Sequence, residues 1–77
     1  MYRNLIELIK SKRIQKGITL QNMAEKLGYK SKSSYYNVEN GRVKVTLEQF
    51  INICKVLEFT KGEILKIAEL FIDDEVA

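Results

Sequence analysis

Histidine, proline and tryptophan are all missing from this 77-residue chain, and cysteine occurs once, as Cys54. Without histidine and with a single cysteine, most soft-metal sites and most acid/base chemistry lose their usual residues. A lone cysteine cannot close an internal disulfide, and the apolar residues around Cys54 suit a small buried hydrophobe. Also missing are a glycine-rich phosphate loop, a paired nucleophile and base, and a metal-ligand cluster. Nothing therefore supports an enzyme, and no catalytic residue, metal, cofactor or small-molecule pocket is expected. The opening MYRNLIELIK has too short an apolar run for a signal peptide or a membrane span, and Glu7 interrupts it. That reads as a cytoplasmic protein with no membrane partner. No segment alternates with the period of a strand and no hairpin turn is present, so helices are the remaining choice.

What is present fits that choice. The composition, 45% hydrophobic and 30% charged, suits one helical domain over residues 1–77. A domain of this size buries only roughly 60% of its unfolded-chain surface, so a partner subunit would help it. The net charge of +3 is unevenly spread. Residues 1–44 hold ten lysines and arginines against three glutamates, a balance of +7, whereas residues 45–77 hold three lysines against seven acids, a balance of −4. A basic N-terminal half suits a polyanionic partner; a solvated lysine-rich surface would give the same count.

Local signals divide the chain into five helices. The first is expected from about Leu5 to Lys16, capped by Asn4 with Glu7 three residues on, closed by Gly17, and facing inward through Leu5, Ile6 and Ile9. Thr19 is a natural N-cap for a second helix through Leu20, Met23, Ala24 and Leu27, which Gly28 stops in a left-handed C-cap. A third begins near Ser31 or Ser33, turns Tyr35 and Val38 inward, and ends at Asn40 and Gly41. Thr46 with Gln49 forms a capping box for a fourth, stapled by Val45 and Phe50, with Leu47, Phe50, Ile51, Cys54 and Leu57 as inward positions. Thr60 with Glu63, flanked by Phe59 and Ile64, repeats the device for a fifth.

Three segments, KSKRIQKGIT (Lys10 to Thr19), MAEKLG (Met23 to Gly28) and VENG (Val38 to Gly41), stand in an order and spacing that resembles the lambdoid phage repressor and Cro proteins, also called the XRE family. The resemblance runs from about Leu8 to Leu65. It implies an all-α fold, a five-helix lambda-repressor-like DNA-binding domain with a helix-turn-helix. It also implies an internal ion pair between Arg13 and Glu39, tying the first helix to the recognition helix. Two departures stand out. Leu20 occupies the place where the family has a phosphate-clamping glutamine after Thr19, leaving Gln21 one position later to replace it. The segment between Gly28 and Gly41 is also one residue longer than usual. Keeping the usual register would bury Ser34 and Asn37, so the extra residue belongs in the turn Tyr29 to Ser31, with Tyr29 plugging its core side.

With that register, Lys32, Ser33, Tyr36 and Asn37 face a major groove. Lys32 suits guanine O6/N7, Asn37 suits adenine N6/N7, Ser33 is adaptable, and Tyr36 suits a thymine methyl or a phosphate. Thr19, Gln21, Ser31, Ser34, Asn40, Arg42 and Lys44 are the candidates for phosphate contacts. Simpler roles stay open: Asn40 as a C-terminal cap, Ser31 or Ser33 as an N-cap, and Tyr36 lying against the protein surface.

The fifth helix carries more apolar residues than one face needs. This implies either a homodimer contact through Leu65, Ala68, Phe71 and Ile72 or a helix buried wholly in its own core. The acidic end Asp73 to Val76 is expected as a frayed tail. The function that emerges is a sequence-specific double-stranded DNA-binding regulator, most simply a dimeric repressor on a palindromic operator. The alternative is a protein-interaction module, such as an antitoxin or anti-repressor, using the same fold.

Overall fold

The computed structural model describes the backbone of residues 2–76 and the side chains of residues 3–69. Five helices follow one another: α1 (Tyr2–Gln15), α2 (Leu20–Leu27), α3 (Lys32–Glu39), α4 (Leu47–Val56) and α5 (Lys61–Val76). No strand occurs among the described residues. No helix there is long and apolar enough to cross a membrane. α2 packs on α3, α1 lies against α3 and α5, and α4 closes over α2.

Side-chain caps define most helix starts. The Thr19 hydroxyl accepts from the Asn22 N–H at 3.0 Å, and the Ser31 hydroxyl accepts from the Ser34 N–H at 3.2 Å. At α4 the Thr46 hydroxyl accepts from Gln49 N at 3.1 Å while the Gln49 side chain accepts from Thr46 N at 2.8 Å. The Thr60 and Glu63 pair repeats this at α5, with distances of 3.1 Å and 2.9 Å. Each reciprocal pair satisfies two backbone donors that a helix start leaves unpaired. The Glu63 carboxyl is held below the usual carboxylate range, first by the Thr60 backbone N–H and then by the Lys12 ammonium.

Inside lie Leu5, Ile9, Met23, Ala24, Tyr35, Val38, Phe50, Ile53, Cys54, Leu57 and Ile67. Cys54 is fully buried, and that burial pushes its thiol up to about 11, which keeps it in the unreactive protonated form. Tyr29 packs on this core from the α2–α3 turn, its ring 5.8 Å from that of Tyr35.

Three expectations need correction. α1 begins at Tyr2, so Asn4 lies inside the helix rather than capping it; the apolar stripe of Leu5, Ile6 and Ile9 draws the preceding turn into the same helix. On α4, Leu47 and Ile51 are 61% and 40% exposed, whereas Ile53 is fully buried. Two overlapping stripes satisfy the helical period there, 47/50/51/54 and 50/53/54/57. Packing selects the second because it also places Leu57 at 0% exposure. Finally, the backbone of Asp73 to Val76 continues α5 instead of fraying.

Gly28 has φ +79°, and a Cβ added there would meet nothing within 4 Å. Gly28→Ala should therefore cost only the left-handed backbone penalty, about 1–2 kcal/mol, in urea-induced unfolding. A loss well beyond that range would mean that the cap carries more than backbone conformation.

Candidate nucleic-acid interface

The α2–α3 unit is held as a block by its turn. Gly28 donates to Glu25 O at 3.2 Å and Tyr29 N to Ala24 O at 2.9 Å, ending α2 in a left-handed cap. Ser31, in an extended conformation, then restarts the chain as α3. Ala24, with almost no bulk and 1% exposure, lets α3 approach α2 closely.

The inward side of α3 is clear. Tyr35 and Val38 are 0% and 1% exposed, and Glu39 is 6% exposed. The opposite side carries Ser33, Tyr36, Asn37 and Asn40, spaced i, i+3, i+4 and i+7 and so on one face. Ser33, Tyr36 and Asn40 are exposed and Asn37 is half-buried; Lys32 is exposed at the first turn. Ser34 is half-buried, its hydroxyl 3.2 Å from that of Ser31, so those two serines first serve the cap. Asn40 is the C-cap, with its backbone N–H directed to Tyr36 O at 3.0 Å and its side chain outside. Arg42 and Lys44 follow in the exposed connector to α4.

Thr19 and Gln21 stand at the start of α2. Thr19 is occupied as the cap, and the exposed Gln21 amide lies 3.4 Å from the Glu25 carboxylate. Neither α2 nor α3 has an acid in its first turn, so the partial positive charge of both N-termini is left uncancelled by an acid there.

Behind α3 lies a buried ion pair. Arg13 Nε donates to Glu39 Oε2 at 2.7 Å, the side chains 10% and 3% exposed. The same guanidinium donates through Nη1 to Ile18 O at 2.8 Å, a bond that the spacing of the sequence does not announce. One side chain of α1 thus grips both the α1–α2 turn and the end of α3. The Tyr35 hydroxyl is buried beside the Glu39 carboxylate but outside good hydrogen-bond geometry; burial first, and that carboxylate second, hold the phenol above its ordinary pKa. On the other flank of α1, Lys12 reaches Glu63 at 3.3 Å and lies 5.3 Å from the centre of the Phe59 ring, joining α1 to α5. Lys12 is thus half-buried.

On α5, Leu65 is 64% exposed while Ile67 is buried. Ala68 is half-buried. The other two apolar positions expected at a dimer contact, Phe71 and Ile72, have side chains outside the described residues.

Removing one partner of the buried pair leaves the other uncompensated. Glu39→Ala should lower stability by about 3–5 kcal/mol. Comparing thermal unfolding of Glu39→Ala with that of the double variant Arg13→Met/Glu39→Leu tests this, since the double variant should recover most of the loss. A Glu39→Ala protein as stable as the parent would show that the pair is incidental.

A helix-turn-helix family profile matches residues 9–64, more than half of the chain. No curated protein and no solved structure matches it. The matched span holds the α2–α3 unit, the Arg13–Glu39 pair behind it and the basic connector after it. The chain belongs to the helix-turn-helix family of XRE/Cro/C1-type DNA-binding regulators.

Proposed function

We propose that the protein is a sequence-specific, dimeric repressor that inserts α3 into the major groove of double-stranded DNA and blocks transcription from a near-palindromic operator. The observation that carries the reading is the division of α3: its apolar side is spent on the core, while its other side offers Lys32, Ser33, Tyr36 and Asn37 as a polar surface. Lys32 donates to guanine, Asn37 pairs with adenine, Ser33 adapts to either, and Tyr36 meets a thymine methyl or a phosphate. Ser31, Ser34, Asn40, Arg42 and Lys44, with Thr19 and Gln21 at the start of α2, fix the orientation through phosphates. Such a protein acts where the chromosome is, in the cytoplasm.

Dimerisation follows from operator symmetry. Two copies of α3 about 34 Å apart reach successive major grooves on one side of the duplex. The outer face of α5, with the exposed Leu65 and the neighbouring Ala68, is the surface for that contact.

Selecting bound sequences from random duplex DNA at physiological salt tests the reading as a whole. A recovered palindrome supports it; no enrichment, together with binding to a protein partner, favours the interaction-module alternative. Lys32→Ala and Asn37→Ala should each weaken specific binding by roughly 1–3 kcal/mol without unfolding the protein. Equal losses on operator and random duplex would remove both from the base-reading set. Leu65→Asp should halve the sedimentation mass, and an unchanged dimer would move the contact away from α5.

A further inference from the structure

An open cleft of about 450 Å³ lies between α1 and the end of α3, lined by Arg3, Ile6, Glu7, Lys10, Glu39, Asn40 and Gly41. We infer that this cleft is an additional phosphate subsite, in which Arg3 and Lys10 take the DNA backbone beyond the stretch read by α3. The inference rests on the DNA-binding reading above.

Position is the first argument. Asn40 lines the cleft and lies on the same face of α3 as Ser33, Tyr36 and Asn37, so the cleft opens at the C-terminal end of the proposed reading surface. Gly41, the last residue of the lining, is followed in sequence by the exposed Arg42 of the basic connector.

Charge is the second. The Glu39 carboxylate is already neutralised by Arg13 at 2.7 Å and is only 3% exposed. That leaves Arg3 and Lys10 against Glu7, all three exposed and, among the described residues, none in an ion pair. Arg3 and Lys10 are seven positions apart on α1, two turns and about 10.5 Å along one face. They flank the cleft as two long cations with no ion-pair partner among the described residues. The Asn40 side chain adds an amide donor, the kind of neutral group that contacts phosphate oxygens beside lysine and arginine.

The lining also argues against a small-molecule site. Such pockets are predominantly apolar with a few converging polar groups. Here Ile6 is the one large apolar side chain, and it is 5% exposed. Glu7 then makes the inference two-sided: it stands between the two cations on the same face and opposes an incoming phosphate.

The test measures the affinity of the full chain for operator and random duplexes by fluorescence anisotropy across a salt series. The double variant Arg3→Ala/Lys10→Ala should weaken both duplexes alike, by about threefold to tenfold, and make the slope of log K against log salt shallower by about one to two. Glu7→Gln should tighten both, a gain that unfolding cannot produce; circular dichroism checks that the double variant stays helical. A steep wild-type slope that the double variant leaves unchanged, or a Glu7→Gln protein that binds no tighter, overturns the subsite while leaving the DNA-binding reading intact. A double-variant loss confined to the operator also overturns it, since phosphate contacts do not distinguish sequences. Wild-type protein that binds no duplex in a salt-dependent way overturns the DNA-binding reading itself.

Discussion

The contact between Arg13 and Glu39 is the constraint on which the orientation of α3 depends. At 2.7 Å and almost fully enclosed, it joins two helices whose residues are 26 positions apart in sequence. Its stabilising value is modest, because desolvating both charges offsets much of their attraction; what it supplies is a defined arrangement. A guanidinium presents its donors in a fixed fork, so satisfying Glu39 with Nε and Ile18 O with Nη1 leaves few ways to place α1 against α3. The apolar contacts of Tyr35 and Val38 are less directional. Helix packing alone would permit α3 to slide or roll slightly on α2, moving every side chain on its outer face.

Around that contact, a short chain divides its helices between two duties. α2 and α3 have eight residues each, too few to be stable alone in water, so both depend on caps and packing. Thr19, Gly28 and Ser31 close their ends locally, and Met23, Ala24, Tyr35 and Val38 bury their inner faces. This leaves Ser33 and Tyr36 on the outer face of α3 exposed and outside the core. α4 and α5 supply most of the remaining core from a half of the chain that is net acidic, while ten of the 13 basic residues lie in residues 1–44.

Where local chemistry decides an outcome, the sequence was sufficient. Hydroxyl residues followed three positions later by Gln or Glu announced the starts of α4 and α5, and the glycines at 17, 28 and 41, all with φ near +70° to +80°, announced three helix ends. Tyr35 and Val38, expected to turn inward from the period along α3, are both buried. The readings that needed correction were of another kind. Leu47, Ile51 and Ile53 all suit an inward face by hydrophobicity and spacing, and choosing among them needs the position of α2 against α4. Asn4 had the chemistry of a cap, but a cap is used only where the helix begins, and α1 already runs from Tyr2.

The sequence by itself determined the helical class, the order and limits of most elements, the inward side of α3 and the family to which the chain belongs. The first three follow from interactions within a few residues or from a period along one helix; the family follows from the order and spacing of KSKRIQKGIT, MAEKLG and VENG along the chain. Tertiary structure decided which of two equivalent stripes on α4 enters the core, that Arg13 holds Ile18 O as well as Glu39, that Lys12 bridges to α5, and that Arg3 and Lys10 meet Asn40 across a cleft. Each of those joins residues far apart in the chain or chooses between faces of equal local merit. Their outcome depends on how the helices lie on one another, a quantity that no single segment encodes.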